Sequence, residues 1–258
     1  MPGGGFNCLT QNATEQSLFY RSCRKNSLKG KNPWFMAAVN TKCHTGGKMY
    51  GPSPLTIKPM AAAPSVRFLK NITTNPNIIA GDYTVVHLPD GVDDFERFVL
   101  YHYPFMGDKL IFGKFCGIAR EVKFIMNGSH HKMTGISTYP FHILANGWEK
   151  VTPPISELPM KGDTVIENDV WIGFNSVIRP GIRIGNGACV ASCSMVTRDV
   201  PPYSIVGGNP AKLIRMRFSD EEIDILQNIA WWDWPADKLT EHLELIVNGD
   251  VMALAKVA

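Results

Sequence analysis

The sequence predicts a mainly β protein built around a parallel β-helix, and two observations carry that prediction. The first is a period of six: from Ile166, six-residue steps land on Ile172, Ile178, Ile184, Val190 and Val196, all β-branched aliphatics. The second is that four residues after each comes a small or β-branched residue, in turn Val170, Ser176, Ile182, Ala188, Ser194 and Val200. A strand that turns a corner every six residues has this pattern. The aliphatic points into a narrow core, and the small residue fits where the wall bends. Three such strands close one triangular coil, and stacked coils share backbone ladders, because no single coil can bury its own core. A helix is excluded here by Pro180 and by Gly181, Gly185 and Gly187 around the aliphatics.

The elements follow in order. Residues 1–48 show neither helical nor strand periodicity and are rich in Gly, Asn and Lys. They are expected to be a disordered or non-native N-terminal extension, with Met49-Tyr50-Gly51-Pro52 reading as a natural start. From there the folded domain should run over 49–218. Phe112, Ile118 and Phe124, with Cys116 and Val122 at the i+4 positions, form an early stretch of the same period. A segment of about 125–165 breaks the period. It holds His130, His131, Tyr139, Phe141 and Trp148, and loops of such length are commonly functional. The repeat ends at Pro201-Pro202. Residues 219–258 are expected as a C-terminal helical cap. Ser219-Asp220-Glu221-Glu222 is a capping box before Ile223, Leu226 and Ile229, and Asp233-Trp234-Pro235 opens a second helix carrying Leu239, Leu243 and Ile246. Helices there would cover strand edges at the open end of the coils.

Composition narrows the function classes. The net charge of +3 divides unevenly: residues 1–48 carry seven Lys/Arg and one acid, and the remainder carries 19 basic and 22 acidic residues. The body is therefore mildly acidic, without the basic stripe that nucleic-acid binding requires. No apolar run reaches membrane-spanning length, and no signal-peptide core opens the chain, so a cytoplasmic protein is expected. The six cysteines include no Cys-x-x-Cys pair and are read as reduced thiols, with no metal site.

Beyond the repeat, the sequence resembles the xenobiotic acetyltransferase family of streptogramin A O-acetyltransferases and type B chloramphenicol acetyltransferases. The resemblance rests on Tyr101-His102-Tyr103-Pro104, Gly113-Lys114-Phe115-Cys116 and Asn127-Gly128-Ser129-His130-His131. It continues through Ser137-Thr138-Tyr139-Pro140-Phe141, Asn146-Gly147-Trp148-Glu149, Asn168-Asp169-Val170-Trp171-Ile172-Gly173, Gly207-Gly208-Asn209-Pro210-Ala211 and Trp231-Trp232-Asp233-Trp234-Pro235. It implies a left-handed β-helix, a bacterial cytoplasmic homotrimer with active sites between subunits, and acetyl-CoA as co-substrate.

Residue by residue, the resemblance makes His131 the general base. Histidine suits the removal of a hydroxyl proton because its ordinary pKa lies near working pH. Direct transfer to a small-molecule hydroxyl acceptor is expected. A covalent acetyl-cysteine route through Cys116 is disfavoured by that residue's inward repeat position. Gly173, Ala191 and Ser192 are expected along the pantetheine arm, Asn209 and Pro210 beside the cofactor, and Lys212, Arg215 and Arg217 on its phosphates. Tyr103 and Met160 are expected at the acceptor. After Gly81-Asp82-Tyr83 the chain has Val85-Val86 where some streptogramin-modifying relatives carry further tyrosines. Competing readings are an acyltransferase for chloramphenicol or for a sugar or amino sugar, and a non-enzymatic scaffold. A β-helix carbonic anhydrase would need zinc histidines on its coils, and coils 166–200 contain none.

Overall fold

The computed structural model describes residues 50–258. The expectation for residues 1–48 lies outside the described residues. The period of six becomes three parallel sheets, labelled I, II and III in the order each coil visits them. Sheet I contains β2 (Ile78–Ala80), β5 (Leu110–Phe112), β8 (Thr164–Ile166) and β11 (Arg183–Ile184). Sheet II contains β3 (Val85–His87), β6 (Gly117–Ile118), β9 (Trp171–Ile172), β12 (Cys189–Val190) and β14 (Ser204–Gly207). Its two edges are closed by antiparallel strands, β1 (Val66–Phe68) on β3 and β15 (Lys212–Met216) on β14. Sheet III contains β4 (Val99–Leu100), β7 (Lys123–Ile125), β10 (Val177–Ile178) and β13 (Met195–Val196).

Register explains why the repeat reads as it does. Ile166 pairs with Ile184 in sheet I, Ile172 with Val190 in sheet II, and Ile178 with Val196 in sheet III. Six residues along the chain therefore move an aliphatic to the next sheet, and eighteen return it to the same column one coil higher. All six are buried, as are the i+4 residues from Val170 to Val200. Their columns form one continuous core that also takes in Phe112, Ile118 and Phe124 of the earlier stretch. Corners need a left-handed backbone, and it recurs at the same spacing: Asp169, Asn175, Gly181, Gly187 and Cys193 all have φ between 53° and 69°. Gly187 is required for a second reason, since a Cβ there would lie 2.4 Å from the Tyr203 ring.

After β15 come α1 (Asp220–Ile229), α2 (Ala236–Glu241), α3 (Leu243–Asn248) and α4 (Val251–Ala255). Both halves of the Ser219 capping box form. The second helix expected from the sequence is broken at His242, which leaves the helical region at φ −110°, ψ 14°. Docking is lateral. Ile223, Leu226, Trp231, Trp232, Val251 and Leu254 pack with Tyr203 and Phe115, two residues of the corner between sheets I and II. Lys114 pairs with Asp233 at 2.8 Å on the same side. An asparagine ladder runs up that corner: Asn168 Oδ1 accepts from the Lys114 N–H, Asn186 Oδ1 accepts from Asn168, and Asn186 Nδ2 donates to Gln227 of α1. The helical region therefore braces a flank, and the β15 hairpin covers the last strand of sheet II. Among the described residues no helix is long and apolar enough to cross a membrane.

Candidate active site

The chain leaves sheet III after β7 and returns to sheet I at β8, so the long loop replaces one corner of a coil. Its base is held by polar contacts at a point where the core ends. Asn127, fully buried, donates from its backbone N–H and its Nδ2 to Asp108 Oδ2 at 2.9 and 2.7 Å. Nδ2 also donates to the Gly162 carbonyl at 2.8 Å, and Oδ1 accepts from the Lys161 N–H at 2.8 Å. One side chain thus ties the start of the loop to its end. A short 3-10 turn over Asn127–Ser129 follows, and the His130 N–H closes it on the Asn127 carbonyl.

His131 comes next. Its Nδ1 lies 3.1 Å from the Thr138 carbonyl oxygen. A carbonyl only accepts, so the neutral ring carries its proton on Nδ1 and its lone pair on Nε2. This is the tautomer a general base needs. The histidine lines a cavity of about 460 Å³ with Tyr139, Phe141, Val151 and Pro154, and an adjoining one of about 490 Å³ with Ser129, Met133, Pro159 and Arg179. Tyr139, Phe141 and Trp148 pack edge to face beside it. His130 lines both cavities. Burial, then Arg179 and Lys161, push its pKa below the ordinary histidine range.

The nucleophile alternative fails on chemistry. Cys116 is buried in the coil core with its thiol 2.8 Å from the Glu167 carbonyl oxygen, and burial pushes its pKa up to about 12. A thiol so held supplies almost no thiolate at neutral pH.

The expected cofactor residues gather at another corner, between sheets II and III. A Cβ on Gly173 would stand 2.6 Å from the Ser192 nitrogen, and one on Gly207 would stand 3.1 Å from the Ala191 Cβ. Gly208 N–H donates to Ser194 Oγ, and Ala211 N–H donates to the Met195 carbonyl, which brings Asn209 and Pro210 to the top of the same column. Lys212 pairs with Gly207 there.

The cationic cluster, however, is split. β15 runs from this corner back across sheet II at about 3.3 Å per residue. Arg217 accordingly arrives at the opposite corner, its N–H bonded to the Tyr203 carbonyl. It sits 3.6 Å from Asp169, donates to the Gly187 carbonyl, and lies 5.5 Å from the Tyr203 and Phe218 ring centroids. Arg217, expected at cofactor phosphate, thus stands apart from Lys212 and pairs with the half-buried Asp169 carboxylate. Arg215 is exposed in mid-strand opposite Ile205.

Tyr103 and Met160 line neither cavity. Tyr103 stacks on Phe105 with centroids 5.4 Å apart and covers Gly128, where a Cβ would come within 2.5 Å of its ring. The sequence reading missed the contribution of Asp108 and the closing role of Asn127. The usable signal was a polar residue immediately after the inward-pointing Phe124 and Met126, where the period stops.

Comparison with known proteins agrees with the repeat fold. Residues 163–198 match the bacterial transferase hexapeptide model (six repeats). A virginiamycin A acetyltransferase of Staphylococcus aureus is 47% identical over 207 residues, 80% of this chain and 94% of that protein. A probable macrolide acetyltransferase of Lysinibacillus sphaericus is 58% identical over 148 residues, 57% and 82% of the two chains. A chloramphenicol acetyltransferase of Agrobacterium fabrum is 43% identical over 182 residues, 70% and 87%. With repeat and relatives in agreement, the chain belongs to the hexapeptide-repeat acetyltransferase family that includes the virginiamycin A and chloramphenicol acetyltransferases, and it is an acetyltransferase.

Proposed function

We propose that this chain transfers an acetyl group from acetyl-CoA to a hydroxyl of a small xenobiotic, a streptogramin A antibiotic in the first instance, with His131 as general base. The observation that carries the reading is the Nδ1 contact of His131 with the Thr138 carbonyl, which leaves Nε2 free of that contact on a histidine that lines a cavity of about 460 Å³. In direct transfer, Nε2 takes the hydroxyl proton as the oxygen attacks the thioester carbonyl. The carbon–sulfur bond of the tetrahedral intermediate then breaks, and the CoA thiolate recovers the proton from the imidazolium. Such a base contributes about 10²–10⁴-fold. The chemically inert Cys116 favours this route over an acetyl-cysteine intermediate.

His131 and the Gly173–Ala191–Ser192 column occupy different corners of the coil. That separation supports a homotrimer in which the loop of one copy meets the cofactor groove of the next. Acetyl-CoA would lie along Gly173, Ala191, Ser192, Asn209 and Pro210, with Lys212 and Arg215 toward its phosphates. Tyr103 and Met160 are assigned to the acceptor side. A bacterial cytoplasmic setting, where acetyl-CoA is made, suits the reaction.

The test is release of CoA thiol from acetyl-CoA with virginiamycin M, chloramphenicol or a macrolide, using wild type and His131→Ala. Turnover with virginiamycin M that falls by about 10²–10⁴-fold in the variant is expected. Turnover with chloramphenicol alone would reassign the acceptor, which the 43% identity to such an enzyme makes the second reading. An unaffected variant would remove His131 from the mechanism.

A further inference from the structure

Resting on His131 as the base, we propose that Asn127, backed by the Asp108 carboxylate, is a positioning residue that fixes the orientation of that histidine. Between His131 and Asp163 no residue is buried, so the loop has no core of its own to hold its most important side chain still. The Thr138 carbonyl orients the imidazole ring, but Thr138 belongs to the same exposed loop. A tie to the rigid coils has to enter elsewhere.

Asn127 supplies that tie. It makes five hydrogen bonds in a fully buried position: two to one carboxylate oxygen of Asp108, one to the Gly162 carbonyl, one from the Lys161 N–H and one from the His130 N–H to its backbone carbonyl. Asp108, itself buried, precedes β5, and its backbone carbonyl is also held, by His102 Nε2 at 2.8 Å. The path from coil to base is therefore short. It runs from Asp108 to Asn127, through the turn closed by the His130 N–H, to His131. Gly128 belongs to the same arrangement, because a Cβ there would lie 2.3 Å from the Tyr101 carbonyl oxygen. Asn127 never touches substrate. It acts by keeping Nε2 where the hydroxyl arrives, and displacements of about 1 Å in such geometry can cost about 100-fold in rate.

The experiment compares Asn127→Ala, Asn127→Ser and Asp108→Asn with wild type and His131→Ala in the full-length protein. Readouts are kcat, the KM for acetyl-CoA, thermal melting and the ¹⁵N NMR signature of the His131 tautomer. Asn127→Ala should lower kcat about 100-fold, leave the KM for acetyl-CoA in place, and turn a single Nδ1–H tautomer into a mixture. Asn127→Ser keeps a hydroxyl for Asp108 but cannot span to Lys161 and Gly162. It should show the same kcat-selective loss even if the alanine variant folds poorly. Asp108→Asn preserves an acceptor for both Asn127 donors and should retain most of the rate. A folded Asn127 variant with wild-type kcat and an unmixed tautomer overturns the proposal, as does a fall in kcat fully matched by loss of folded protein. If His131→Ala stays active, the base assignment fails. If only the Asn127 variants stay active, the base assignment stands and the positioning role falls.

Discussion

The coils over 164–200 and the loop over 131–163 are of similar length and are built on opposite principles. In the coils every sixth residue is an aliphatic buried in a column that runs through several turns. In the loop the apolar side chains, Met133, Ile136, Ile143 and Trp148 among them, stand exposed, and order comes from short 3-10 turns and a polar clasp at the base. The difference separates stability from chemistry. Burial of aliphatics holds the coils, whereas the loop is free to present a histidine and an aromatic cluster because it has little packing to protect.

The largest effect that tests this division is Ile178→Ala, at a wholly buried position in sheet III. It should cost about 2–5 kcal/mol of stability, read by urea unfolding, while the protein that remains folded keeps its kcat. A comparable loss of stability from Ile136→Ala in the loop would erase the distinction.

An intermediate effect sharpens the comparison at the helical flank. Burial raises the Asp169 carboxyl from 3.8 to about 6, against the opposing pull of Arg217. The folded chain therefore holds that proton more tightly than the unfolded one. This contribution favours folding most below about pH 4, declines through about pH 6, and is level above. Asp169→Asn copies the protonated form and accepts the left-handed φ of 57° at this corner. Its stability relative to wild type should rise from about pH 4 to about pH 7 by up to roughly 3 kcal/mol. Parallel unfolding curves at the two pH values would contradict the shift.

The smallest effect lies at Ser219, whose side chain accepts the Glu222 N–H. Ser219→Ala should lower stability by about 1 kcal/mol with turnover unchanged. A loss of activity instead would mean that the flank helices communicate with the site.

Much of the fold was legible because six-residue periodicity reports the direction of each side chain, and direction is what the corners dictate. The columns of Ile166 to Val196, the buried Cys116 and the Ser219 cap follow from local rules. Contacts that depend on which distant turns come together were not legible. Arg217 looked like a free cation until antiparallel pairing of β15 carried it back to Tyr203 and Asp169. Asp108 and Asn127 are nineteen residues apart in sequence, and no period relates them. The break at His242 lies within a pattern that reads as continuous helix. At the candidate site the position of His131 on the non-repeat loop was readable, while the clasp at the base of that loop was not.

The eighteen-residue register has a metric consequence. Neighbouring coils lie about 4.8 Å apart, so the II/III corner from Gly173 through Ser192 to Asn209 is graduated in steps of that size. Adding or removing one coil between Trp171 and Val206 would leave every inward column in phase and change only the height of that graduated edge. The number of coils is therefore a ruler that sets the length of this edge.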